Sequence, residues 1–351
     1  MNIFENKFLQ LILLPLSYIY YIIIQLRNFF YDKQIFKSFS LDCPVICVGN
    51  ITVGGAGKTP VVEFLAKYFR QQFGLRVAIL SRGYGRESAG TVIVSDGTNV
   101  LSNAKWAGDE PFLLANRLKS VPIVVDEDRV RGGQIICQKF HTDLILLDDG
   151  YQHRRLSRMM NLAVINGHVG FGNGRLLPAG PLREPISALN RAGILWFHQL
   201  DSAQKSVQIN QVVGKFENLP KIFSDYQPKT LVSIPEKEEI SLNLIKGKKI
   251  MALSGIANPE RFHKTLRELC PEQLMILKFK DHYRFSEKDF DFIGQKSQKE
   301  GIDLVVTTEK DFYRLDQNLK LDNSFYFLKM ELVVLEGIEH FTSILHPLPK
   351  S

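Results

Sequence analysis

The stretch VGNITVGGAGKTP, Val48 to Pro60, constrains this chain more than any other. It follows a short β-branched run, PVICVG at 44–49, and leads into apolar residues at helical spacing from Val61 to Phe73. Between a strand and a helix, Gly-Lys-Thr preceded by glycines reads as a phosphate-binding loop. Gly54, Gly55 and Gly57 let the backbone turn sharply and aim N–H groups at phosphate oxygens. The helix N-terminus adds partial positive charge. Lys58 then reaches the β- and γ-phosphates, and Thr59 offers its hydroxyl to Mg²⁺. The expected nucleotide contacts are Thr52, Val53, Gly54, Gly55, Ala56, Gly57, Lys58 and Thr59. One departure is plain: Thr52 stands where the first glycine of such a loop usually lies.

A phosphate loop needs a carboxylate for the metal, usually at the end of an apolar strand. DLILLDDG at 143–150 supplies it. Adjacent acids repel unless a cation is present. Asp148 is the expected metal carboxylate, directly or through water. Asp149 either assists or turns away, because neighbouring strand side chains face opposite sides. The two motifs together imply a Mg²⁺-dependent nucleotide triphosphatase or kinase.

The rest of the chain alternates strand and helix, which implies an α/β fold with a mainly parallel sheet covered on both faces. Expected strands are RVAIL 76–80, TVIV 91–94, PIVV 122–125, DLILLDD 143–149 and NLAVI 161–165. Helices are expected over Pro111–Leu118 and Arg129–Phe140. Gly167–Pro185, rich in Gly and Pro, reads as a long loop, and such loops are often functional. A second alternation runs through KIMALSG 249–255, Pro259–Leu269, LMILKF 274–279, Ser286–Lys299 and DLVVTT 303–308. FYFLKMELVVL 325–335 is a last strand that could return to the first domain. The expected organisation is an N-terminal segment 1–40, a phosphate-loop domain 41–215, and a smaller α/β domain 216–351.

Phe8 to Ile24 is almost wholly apolar and would form a helix of roughly 25 Å, against a hydrocarbon core of roughly 30 Å. Phe29, Phe30 and Tyr31 follow beside Lys33 and Lys37, a pattern suited to a cytoplasmic membrane–water interface. Membrane association is the expectation, with spanning and interfacial placement both compatible. A helix buried on the following domain is the alternative. A content of 45% hydrophobic and 23% charged residues excludes a disordered chain and a polytopic membrane protein. Four scattered cysteines, Cys43, Cys47, Cys137 and Cys270, give neither a disulfide framework nor a zinc site. The net charge of +7 suits nucleic acid, anionic membranes or phosphorylated substrates. No nucleic-acid-binding signature accompanies it.

Two common phosphate-loop classes do not fit. GTPases carry an N/T-K-x-D segment, and TTEKD at 307–311 lacks that spacing. Partitioning ATPases carry a lysine just before the paired glycines, where Val53 stands. GGAGKTP together with SRGYG (81–85), GDEP (108–111), DDGYQHRRL (148–156), PAGPLREP (178–185) and TTEKD resembles the lipid A 4′-kinase family, the tetraacyldisaccharide 4′-kinases. The resemblance runs from the apolar N-terminus to the last strand. It implies two α/β/α domains with the active site in the cleft between them. It also implies transfer of the γ-phosphoryl of ATP to the 4′-hydroxyl of a tetraacylated glucosamine disaccharide 1-phosphate, at the cytoplasmic face of the Gram-negative inner membrane. ATP and Mg²⁺ are the implied cofactors. The lipid A disaccharide 1-phosphate and the membrane surface are the implied partners, with no nucleic acid and no obligate protein partner.

By similarity to the family, Asp109 is the candidate base and His282 its partner from the second domain. A carboxylate–imidazole pair is suited to accepting a proton near neutral pH. Glu110 is placed in the outer shell of the metal. Arg82, Arg129 and Arg183 are the candidates for the lipid phosphate, since a guanidinium is a planar two-pronged donor. Gln152 and His153 are candidates for lining the substrate site, and Tyr84 for touching the nucleotide. Glu309, Lys310 and Asp311 match the family pattern without an assigned chemistry. A nucleotide-switched membrane adaptor is the competing class, separable by whether ATP turnover needs the lipid.

Overall fold

A computed structural model describes residues 6–198, 210, 213–256, 259–281, 283, 285–315, 321, 322 and 324–341. The chain divides into two compact units. The first comprises 1–225 and 332–351, the second 226–331.

The first unit opens with helix α1 (Lys7–Asp32) and then alternates as its hydrophobic pattern requires. Its strands are β1 (Val45–Gly49), β2 (Val77–Ser81), β3 (Val92–Asp96), β4 (Pro122–Val125), β5 (Leu144–Asp148), β6 (Met160–Asn166) and β7 (Ile194–His198). Its helices after α1 are α2 (Lys58–Phe73), α3 (Ala104–Ala107), α4 (Asp109–Arg117) and α5 (Arg129–Lys139). The sheet order is β3-β4-β2-β5-β1-β6-β7, parallel except for β3 against β4. β1, β2, β5 and β7 are buried along their whole lengths. Covered on both faces, they carry continuous apolar runs rather than alternating ones. Register aligns Val48 with Asp148 and Leu80 with Leu147. The C-terminal ends of β2, β5 and β1 therefore stand side by side, where ligands bind in open α/β sheets.

β7 lay unread in the sequence, as did β8 (Lys221–Ser233), which continues the order beside β7. α2 starts at Lys58, ahead of the expected Val61, because Lys58, Thr59 and Pro60 form its first turn. Proline is tolerated there, where its missing N–H has no helical acceptor to lose.

In the second unit, β10 (Lys249–Ser254) lies between β11 (Gln273–Lys278) and β12 (Leu304–Thr308), all parallel. β12 pairs in turn with β13 (Phe325–Glu336). β9 (Glu239–Ile240) forms a short antiparallel pair with β8. The helices are α6 (Glu260–Glu268), α7 (Glu287–Glu300) and α8 (Glu309–Phe312). Ser286 and Asp289 close a reciprocal cap at the start of α7. β8 and β13 each contribute residues to both units.

Helix α1 turns the usual amphipathic arrangement around. Phe8, Leu11, Ile12, Ile19, Ile23 and Leu26 are exposed, whereas Ser17 and Asn28 are buried. The Ser17 hydroxyl donates to Leu176 O (3.0 Å) and accepts from Ala179 N (2.9 Å). Tyr20 OH donates to Arg183 O at 2.9 Å. Asn28 Nδ2 donates to Glu184 Oε2 at 3.1 Å, and Arg27 donates to Gln152 O. Arg154 reaches back to Asp32 at 2.6 Å. The helix thus docks by a polar stripe and leaves its apolar face outward. A wholly buried helix, the alternative from sequence, would have buried that face instead. An exposed apolar face of this size is consistent with membrane association.

Candidate active site

The phosphate loop runs from the end of β1 to Gly57, which adopts a left-handed conformation (φ 83°) against the His198 ring. Thr52, in the place of the usual glycine, forms a β-bridge with Leu182, an extended backbone that a β-branched residue adopts readily. Val53 N donates to Pro181 O at 2.7 Å and Arg183 N to Ile51 O at 2.7 Å. The PAGPLREP segment therefore flanks the phosphate loop, tied to it by these backbone bonds and by the single Thr52–Leu182 bridge. Asn50 braces both sides: its Nδ2 donates to Thr52 Oγ1 (3.0 Å), and its Oδ1 accepts from Lys58 Nζ (3.3 Å).

Lys58 Nζ also lies 3.3 Å from Asp149 Oδ1. β5 ends at Asp148, and Asp149 takes a positive φ of 49°. The alternation of a strand no longer applies at that residue, so Asp149 turns toward cations. It receives Arg183 as well, at 3.3 Å. Lys58 and Arg183 outweigh burial and hold the Asp149 carboxyl below its ordinary range.

Asp148 is only 2% exposed. Ser81 Oγ, at the end of neighbouring β2, donates to its Oδ2 at 3.0 Å. Its Oδ1 is buried without a hydrogen-bond partner. Burial, then the charges of Glu110 and Asp149, push its carboxyl up to about 7. A buried oxygen lacking a donor, among like charges, is chemistry that a cation satisfies. Among the described residues no three or more His, Cys, Asp and Glu side chains form a ready cage for a metal. Mg²⁺ in phosphoryl-transfer sites needs none, being held by one or two carboxylates, waters and the phosphates themselves. Thr59 and Asp148 fit that role, with Glu110 close enough to act on Asp148.

SRGYG and GDEP interlock. A Cβ at Gly83 would lie 2.6 Å from Ala107 O, and one at Gly108 2.9 Å from Tyr84 O. Only glycines permit that approach. It brings Arg82 and the exposed Tyr84 beside the start of α4, where Asp109 and Glu110 occupy the first turn. Ionised carboxylates are favoured at that helix end.

Arg129 is buried, with Nη1 donating to Glu127 O and Nε unpartnered. Burial, then the Arg82 charge, lower its pKa. The charges of Asp149, Asp148 and Asp126 act in the opposite direction. His153 Nε2 is likewise buried without a partner, and burial with the Arg129 and Arg158 charges takes its imidazole down to about 4. It is neutral at physiological pH. Gln152 Nε2 donates to Asn50 O (2.8 Å) and Glu184 Oε1 (3.1 Å). His282 lies outside the described residues.

Sequence reasoning missed Ser81, Asn50 and Glu184. Ser81 is significant only because β2 lies next to β5, an order the sequence does not state. Asn50 carried a weak signal, a polar residue between strand and phosphate loop. Glu184, fully buried and paired with Arg191 at 2.8 Å, lay inside the PAGPLREP motif without a role read for it.

The chain matches the family LpxK, Tetraacyldisaccharide-1-P 4'-kinase, over residues 9–347. It is 38% identical over 342 residues to a tetraacyldisaccharide 4′-kinase of Syntrophus aciditrophicus, covering 94% of this chain and 91% of that one. It is 35% identical to the enzyme of that name from Halothermothrix orenii, covering 93% and 90%. The crystal structure of LpxK from Aquifex aeolicus in complex with ATP superposes with a TM-score of 0.80 at 34% identity, covering 97% of this chain and 99% of that one. Matching in sequence and in fold over nearly its whole length, the chain belongs to the tetraacyldisaccharide-1-P 4′-kinase family.

Proposed function

We propose that this chain transfers the γ-phosphoryl of ATP to the 4′-hydroxyl of tetraacyldisaccharide 1-phosphate, with the residues at the strand ends of the first unit as its nucleotide and metal machinery. The observation that carries this is the register of β1 and β5. It sets Asp148 beside the strand that feeds Lys58 and Thr59.

Backbone N–H groups of 54–59 and the α2 N-terminus cradle the phosphates. Lys58 exchanges Asp149 for the β- and γ-phosphate oxygens. Thr59 and Asp148 would hold Mg²⁺, with Glu110 in its outer shell, and the ion would supply neutralisation of the charge that develops on the phosphates. Such positioning and charge neutralisation supply most of the acceleration in phosphoryl transfer. Asp109 and His282 together accept the proton of the 4′-hydroxyl. Arg82, Arg129 and Arg183 receive the anionic 1-phosphate. His153, being neutral, and Gln152 serve the sugar rather than its charge. The outward face of α1 and the net charge of +7 suit the anionic cytoplasmic face of an inner membrane.

The direct test supplies labelled ATP, Mg²⁺ and the disaccharide lipid, and looks for a labelled lipid. A labelled lipid formed only with metal is expected; equal ADP release without lipid would sink the kinase reading. Alanine at Asp109 or His282 should each lower turnover by about 10²–10⁴-fold. If the two act as one unit, the double variant is scarcely worse than the poorer single one. Multiplied losses would separate their roles.

A further inference from the structure

Helix α1 is joined to the residues that the proposed reaction uses. Ser17, Tyr20, Ile24, Arg27 and Asn28 fall at the spacing of one helix face. Ser17, Ile24 and Asn28 are buried there. Tyr20 OH donates to Arg183 O (2.9 Å), Arg27 Nη2 to Gln152 O, and Asn28 Nδ2 to Glu184 Oε2 (3.1 Å). Arg183 and Gln152 are the residues assigned to the lipid acceptor, and Glu184 bonds to Gln152 directly.

Glu184 carries the contact inward. Its fully buried carboxylate accepts from Arg191 Nη2 (2.8 and 3.0 Å), from Asn28 and from Gln152 Nε2 (3.1 Å). Gln152 Nε2 also donates to Asn50 O (2.8 Å), and Asn50 Oδ1 accepts from Lys58 Nζ (3.3 Å). Arg183 in turn pairs with Asp149 at 3.3 Å, and its N donates to Ile51 O at 2.7 Å. A continuous set of hydrogen bonds therefore runs from α1 to both sides of the phosphate loop. Satisfied polar networks of this kind fix the groups that they join. A helix serving only as an anchor could be held by an apolar seam, with no bond to any of these groups.

We propose that α1 is a positioning element of the lipid site, in which Tyr20 fixes Arg183, and Asn28 fixes Gln152 through Glu184. The inference rests on the lipid-binding roles given to Gln152 and Arg183 above, and it goes beyond attachment of the chain to a membrane. The outward face of α1 meets the lipid phase while its inward face sets where the acceptor's sugar and phosphate are held. A misplacement of about 1 Å can cost on the order of 10²-fold in rate. ATP, cradled by the backbone of the phosphate loop, depends on it far less.

The test uses the full chain with Mg²⁺–ATP and tetraacyldisaccharide 1-phosphate in mixed micelles. Tyr20→Phe combined with Asn28→Ala should lower kcat/KM for the lipid by about 10–100-fold, while KM for ATP stays within about twofold. Binding to anionic vesicles should be unchanged. Ser17→Ala loosens the same helix at Leu176 and Ala179, which carry no role in the proposed site, and should leave lipid kinetics near normal. Added to Arg183→Ala with Gln152→Ala, the α1 pair should cost almost nothing more. A near-normal α1 pair, a loss that Ser17→Ala reproduces, a matching rise in KM for ATP, or multiplied losses in the combined variant would overturn the inference and leave α1 an anchor. Near-normal lipid kinetics in Arg183→Ala with Gln152→Ala would instead remove the lipid-binding roles on which it rests. Should the α1 pair fail to fold, Tyr20→Phe alone decides by the same criteria. It deletes one hydroxyl and no packing, and should cost about 3–10-fold.

Discussion

Asp148 and Asp311 are both buried aspartates, Asp148 ending parallel strand β5 in the first unit and Asp311 lying in the short helix that follows parallel strand β12 in the second, and both have carboxyls raised by burial. Their surroundings differ in one respect that decides what each does. Asp311 has donors on both oxygens: a backbone N–H, a threonine hydroxyl and an arginine. Asp148 has one hydroxyl, an oxygen with no donor, and two neighbouring carboxylates. A satisfied buried carboxylate rigidifies its surroundings. An unsatisfied one costs the fold stability until a ligand completes it. The second unit uses its aspartate to hold backbone in place, and the first leaves its aspartate with a buried oxygen that no donor meets.

The sharpest way to test that contrast begins beside Asp148. Lys58→Ala removes one of the two cations paired with Asp149, the one proposed to bind the phosphates. Transfer should fall on the order of 10³-fold with the fold retained, measured by lipid labelling and circular dichroism. A folded variant with most of its activity would refute the phosphate-loop roles.

Asp148→Asn should cost activity on the order of 10²–10³-fold and yet stabilise the metal-free protein. The sign follows from linkage. The folded carboxyl titrates at about 7 against an ordinary 3.8. Between those values the folded state binds a proton that the unfolded chain does not, so stability falls as pH rises through the window. The loss is complete above about pH 7 and absent below about pH 4. The asparagine variant should therefore gain nothing over wild type at pH 4. Its advantage should grow to a few kcal/mol at pH 8, and Mg²⁺–ATP should reverse the ranking. Denaturant midpoints across pH with EDTA check this, and a pH-independent difference would contradict it.

The two faces of α1 offer a smaller effect. Ile19→Glu with Ile23→Glu, both on the exposed face, should release the protein from anionic vesicles while leaving the melting temperature within about 2 °C. Ser17→Ala, on the docked face, should keep vesicle binding and lower stability by about 1–2 kcal/mol. Co-sedimentation and melting separate the two, and the reverse pattern would mean that the apolar face is covered by protein. Smallest of all, Thr308→Val deprives Asp311 of one of its donors and should cost about 1 kcal/mol, with little change in turnover because Gly255 N and Arg314 still hold the carboxylate.

Much of this was legible before any coordinates. The phosphate loop, the acidic strand end and the alternation of elements are local patterns, and local patterns are written in sequence order. Ile194–His198 went unread because a five-residue apolar strand cannot be told from any other short apolar run. The docking of α1 was illegible for a different reason. Its polar residues look like interruptions in an apolar helix until their partners at Leu176, Ala179, Arg183 and Glu184 come into view.

The sequence by itself determined the nucleotide chemistry, because glycines, Lys58 and Thr59 at fixed spacing dictate a backbone cradle wherever they fall between strand and helix. Strand order and register alone decided which side chains surround it. They set Ser81 on Asp148, turned Asp149 toward Lys58 and Arg183, and brought TTEKD to the end of β10. Those pairings join residues about 30 to 90 positions apart, and no local rule reaches that far. They form only when burial of the strands closes the sheet and leaves polar strand ends to find partners.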